Sequence, residues 1–66
     1  MNLTVNGEPR AFPPLADVAA LVAELGLDAR KVAVERNLEI VPRSTLGEVC
    51  VEDGDDFEIV HFVGGG

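Results

Sequence analysis

One stretch of this chain has the period of a helix. Val18, Leu21, Val22 and Leu25 stand at i, i+3, i+4 and i+7, a single apolar stripe. Asp17 is the natural N-cap, because its carboxylate reaches the free amides of the first turn. Gly26 suits the left-handed position after the helix, with Leu27 closing back on Val22 in a Schellman arrangement. The sequence offers no second full helix, so the stripe must be buried against strands. Burying each of its aliphatic side chains contributes roughly 1.5–3 kcal/mol.

The strands are written on both sides of that helix. Leu3 and Val5 alternate with Asn2 and Thr4, the period of a half-buried strand. Asn6-Gly7 is a hairpin signal, since both residues tolerate positive φ. The chain returns from Glu8 to Phe12, and Pro9, which cannot donate to a ladder, puts that return at a sheet edge. Pro13-Pro14 then breaks the sheet.

Past the helix, Lys31 to Arg36 alternates again, with Val32 and Val34 on one face. Asn37-Leu38 turns the chain into Glu39-Ile40-Val41, which Pro42 ends or places at a sheet edge. Leu38 is out of place in a tight primed turn, where glycine is expected: the turn is of another type or it is strained. Thr45-x-x-Glu48 fits a capping box, and Val49 to Val51 fits a brief strand. Asp53-Gly54-Asp55 is a turn, and Phe57 to Phe62 is the last strand.

The chain of 66 residues carries 12 acidic and 5 basic side chains, a net charge of -7. Phosphate backbones repel such a surface, which argues against nucleic acid, whereas a basic partner protein is attracted. No stretch approaches a membrane span, and Met1 to Asn6 lacks the features of a signal peptide. With Cys50 as the single cysteine, no internal disulfide forms. A soluble cytoplasmic protein is the expectation. So small a domain has little room for an enclosed catalytic cavity, which favours a binding or carrier module over an enzyme.

Catalytic and metal readings find little support. Glu35, Glu39, Asp53, Asp55 and Asp56 occupy turns or their flanks, where solvent leaves no cause for the shifted pKa values that acid/base work requires. An EF-hand reading of Asp53-Gly54-Asp55 fails because Phe57 and Gly64 occupy ligand positions. Cys50, between Val49 and Val51, reads as a small buried hydrophobe, and His61 has no companion ligand.

The end of the sequence is more informative. With Phe57 and Ile59 facing the core, Val60 and Phe62 share the outer side with Glu58. Unless neighbouring strands or Val63 cover them, they form a docking patch. Beyond them, Gly64-Gly65-Gly66 reaches at most about 10 Å and could thread a channel too narrow for any side chain.

Val34-Glu35-Arg36-Asn37, Glu39 to Ser44, Asp53-Gly54-Asp55 and His61 to Gly66, taken together and in register, resemble the thiamine-pathway sulfur carriers of the ThiS family. Leu38 departs from the family's usual glycine. The resemblance implies an α+β, ubiquitin-like β-grasp fold: a mixed four- to five-stranded sheet, the last strand parallel to the first in mid-sheet, with one main helix across one face. The folded domain is then 1–63 and the flexible tail 64–66.

The resemblance also implies a chemistry. An E1-like adenylating enzyme using ATP and magnesium activates the carboxylate of Gly66. A sulfur-donor protein converts it to a thiocarboxylate, and thiazole synthase receives the sulfur. Gly65 and Gly66 carry the function with Gly64 as spacer, and the chain itself binds no cofactor and is no enzyme. The sulfur carrier of molybdopterin synthesis and a ubiquitin-like protein modifier are the alternatives.

Overall fold

A computed structural model describes residues 1–62. Its elements are β1 (Asn2–Val5), β2 (Glu8–Ala11), α1 (Val18–Glu24), a 3-10 turn (Ala29–Lys31), β3 (Val32–Arg36), β4 (Glu39–Val41), a second 3-10 turn (Arg43–Thr45) and β5 (Asp56–His61). The strand order is β2-β1-β5-β3-β4. β5 lies parallel to β1 and antiparallel to β3, while the hairpins β1–β2 and β3–β4 flank it. Pro9 sits on the edge strand β2, as its missing amide hydrogen demands. This is the β-grasp arrangement.

The helix begins and ends as its sequence dictates. The Asp17 carboxylate accepts from the Ala20 amide at 2.8 Å. Gly26, at φ +75, is followed by a complete Schellman pair: Leu27 N donates to Val22 O and Gly26 N to Ala23 O. Val18, Leu21 and Val22 are fully buried against the inner sheet face, with Leu3, Val5, Val34, Phe57 and Ile59 in the same core. Phe57, the largest of the fully buried side chains, sits on the central strand.

Three local expectations need correction. The chain enters β3 through a 3-10 turn, so Lys31 precedes the strand; Asp28 caps that turn by accepting from Arg30 N. Thr45 opens no helix, because its hydroxyl is already donated to Pro42 O and closes the second 3-10 turn. Val49 to Val51 makes only a single bridge, Asp17 to Cys50. Alternation along that segment buries Val51 and turns Cys50 out to solvent, so the expected burial of the thiol is wrong.

The two hairpin turns have the same geometry from different sequences. Asn6 and Gly7 take φ 51 and 81, and Asn37 and Leu38 take φ 50 and 70. Positive φ at both central residues is the signature of a type I′ turn. Leu38 is therefore strained, and at 85% exposure it gains nothing from burial. The left-handed region costs a β-carbon roughly 1–2 kcal/mol, partly offset by the entropy a glycine loses on folding. Leu38→Gly is accordingly expected to raise the unfolding free energy by about 0.5–1 kcal/mol in urea denaturation. An unchanged or lower midpoint would show that Leu38 carries no strain.

Candidate functional site: the open sheet face at the end of β5

Alternation along β5 decides what faces outward. Phe57 and Ile59 point to the helix, and Glu58 and Val60 point away. Phe62 follows the strand, and its amide donates to Lys31 O at 2.7 Å. Val60 is 59% exposed and Phe62 48%, both uncovered as their position on the outer face predicts. Ile40, on the neighbouring edge strand β4, is 78% exposed. Together with Ala33, Val34, Glu35 and Glu58, Ile40 and Val60 line a depression of about 250 Å³. Sequence reasoning identified Val60 and Phe62 and missed Ile40; its placement directly opposite Glu35, an outward position of β3, was the available signal.

Gly64, Gly65 and Gly66 lie outside the described residues, as do Val63 and the proposed boundary between domain and tail. The strand that leads to them is held firmly. The Asn6 side chain grips Ile59 through both its backbone amide and its carbonyl: Ile59 N donates to Asn6 Oδ1 at 2.8 Å, and Asn6 Nδ2 donates to Ile59 O at 3.1 Å. The positive-φ asparagine of the first hairpin thus fixes the last strand, a role its turn signal alone does not reveal.

Among the acidic residues Asp55 behaves differently from the expectation of open solvation. It is buried and accepts from Arg36 Nε at 2.8 Å, from Asn37 Nδ2 at 3.0 Å and from its neighbour's amide, Glu52 N, at 2.9 Å. Burial pushes its carboxyl up, the largest single effect, but these three donors together outweigh it and hold the group below its ordinary value of 3.8. A carboxylate so held stays ionised and is no general acid. Its work is structural, tying the β3–β4 turn to the start of β5. His61 is exposed, and no cluster of three potential metal ligands exists among the described residues. No described helix is long and apolar enough to cross a membrane.

Comparison with known proteins gives this arrangement a family. The model of the ThiS family matches residues 3–66. The chain belongs to the ThiS family. The sulfur carrier protein ThiS of Bacillus subtilis is 50% identical over 46 residues, covering 70% of each protein. A crystal structure of the thiamine biosynthesis protein ThiS from Geobacter metallireducens superimposes with a TM-score of 0.83 at 39% identity, with both chains fully covered. A thiazole synthase of Paramagnetospirillum magneticum is 61% identical over all of this chain but only 20% of its own length. Another, from Magnetococcus marinus, is 42% identical over the same shares. The chain thus spans about a fifth of the length of these two curated relatives.

Because the Asp55 pKa is depressed on folding, its contribution is present above pH about 4 and is lost as pH falls through the folded value. Asp55→Asn puts an amide donor among three donors and is expected to cost about 1–3 kcal/mol near neutrality. The gap between wild type and variant should narrow as pH falls from above the ordinary value of 3.8 through the lower folded value, read from urea unfolding at each pH. A gap independent of pH would mean that Asp55 acts by shape and not by charge.

Proposed function

We propose that the chain is a sulfur carrier of thiamine biosynthesis that works through the carboxylate of Gly66. The observation that carries this reading is the family match, which runs from residue 3 through the three final glycines. The β-grasp fold supports it, since only Phe62 and Val63 separate the tail from β5, the central strand that Asn6 clasps at Ile59.

The chemistry begins from a limitation. A carboxylate is ionised near neutral pH and is a poor acylating agent. A partner adenylating enzyme supplies ATP and magnesium; the Gly66 carboxylate oxygen attacks the α-phosphorus, pyrophosphate leaves, and an acyl adenylate forms. A sulfur nucleophile then attacks the acyl carbon and AMP departs: sulfide gives the thiocarboxylate directly, whereas a donor protein's persulfide gives an acyl disulfide whose S–S bond a thiol must reduce to release it. Thiazole synthase takes that sulfur. The two longer relatives named thiazole synthase support this enzyme as the receiving partner.

Within the chain the division of labour is physical. Gly64, Gly65 and Gly66 carry no side chains and fit a narrow channel. Val60 and Phe62 give the partner an apolar surface next to the tail, 59% and 48% exposed before docking. The domain contributes position; the partners contribute catalysis.

The test is single-turnover adenylation by the adenylating enzyme of the same source, with pyrophosphate release as readout. Wild type ending at Gly66 is expected to release one equivalent. Gly65→Ala should slow release by about tenfold or more, because a misplaced carboxylate loses alignment. Addition of one residue after Gly66 should abolish it. A normal rate in both variants would refute the reading.

A further inference from the structure

The open sheet face carries a like-charge pair that the isolated domain has no reason to keep. Glu35 on β3 and Glu58 on β5 stand directly opposite each other in the antiparallel register. Both line the depression that Ile40 and Val60 share. Like charges directly opposite destabilise a sheet. Among the described residues neither carboxylate takes part in a salt bridge or accepts a hydrogen bond, and Glu35 is half-buried. The next residue of β3, Arg36, is committed elsewhere, to Asp55 and Glu52. Lys31 lies just ahead of β3, at the end remote from Glu35 and alongside Phe62.

Resting on the functional reading above, we propose that Glu35 and Glu58 are a charge-recognition element that receives an arginine or lysine of the partner thiazole synthase, while Ile40, Val60 and Phe62 receive its apolar side chains. Charge complementarity selects this occupant. A basic group between two carboxylates relieves their repulsion and makes charge-assisted hydrogen bonds. Its approach is steered by the domain's net charge of -7. A second copy of the chain fits poorly, because a two-fold contact on this face would bring four carboxylates together. The two long relatives, in which the whole of this sequence corresponds to one fifth of a thiazole synthase, argue for that enzyme as the owner of the basic group.

This assignment has a signature that a structural pair would not give. Removing the repulsion should make the free domain more stable while making the complex weaker. Glu35→Gln/Glu58→Gln is expected to raise the melting temperature by a few degrees. The same variant should weaken binding to purified thiazole synthase of the same source by about tenfold or more. Its affinity should also depend less on salt than that of wild type. Val60→Asp serves as the separate check on the apolar patch.

Weakened binding by Glu35→Gln/Glu58→Gln together with a higher melting temperature supports the proposal. Wild-type affinity in that variant, with Val60→Asp weakened, overturns the proposal and leaves the docking face intact. No binding by the wild-type domain overturns the functional reading and this inference together. Concentration-dependent dimerisation abolished by Val60→Asp, read by sedimentation, overturns it in favour of a self-contact.

Discussion

The structure depends on the insertion of β5 between β1 and β3. Among the described strands only this one touches both hairpins: Thr4 and Val5 pair with Asp56 and Phe57 on one side, and Val32 to Arg36 pair with His61 to Phe57 on the other. Without it, each hairpin is a two-stranded ribbon, which is marginal in water by itself. With it, one continuous sheet forms and the helix has a surface to cover. Phe57 is fully buried at that junction, and the two side-chain clasps, Asn6 on Ile59 and Asp55 on Arg36 and Asn37, secure the strand at both flanks.

The same insertion creates the structural asymmetry of the sheet. One face is closed by α1 and holds the core. Among the described residues no layer covers the other, and alternation along β5 places Glu58 and Val60 there, with Phe62 beyond, one residue short of the glycine tail. In the proposed function this central strand leads toward the glycine tail and the exposed outer face offers a partner an apolar surface, so docking and delivery would share one strand.

Much of this was legible because it is local. The stripe Val18–Leu21–Val22, the Asp17 cap and the Gly26 stop each act within a few residues, so their reading carried over to the structure. Asn6-Gly7 announced its hairpin for the same reason. The parts that escaped depend on residues far apart in sequence. Asp55 is buried because Arg36 and Asn37, 19 and 18 positions away, come to meet it. Asn6 meets Ile59 across 53 positions. The exposure of Cys50 depends on which side of a single bridge to Asp17 faces the core. Leu38 is the instructive case: the sequence left open another turn type or strain, and register on both strands imposed the strained turn.

The central claim is that Gly66 carries sulfur, and the most direct measurement is intact mass spectrometry of the native protein. Its C-terminus is first verified, and the protein is then incubated with extract of its source cells, ATP and sulfide. The account predicts a mass gain equal to the difference between one sulfur and one oxygen, localised to Gly66 by fragmentation. A native chain that continues past Gly66 would contradict it. So would an unchanged mass in an extract that loads another carrier.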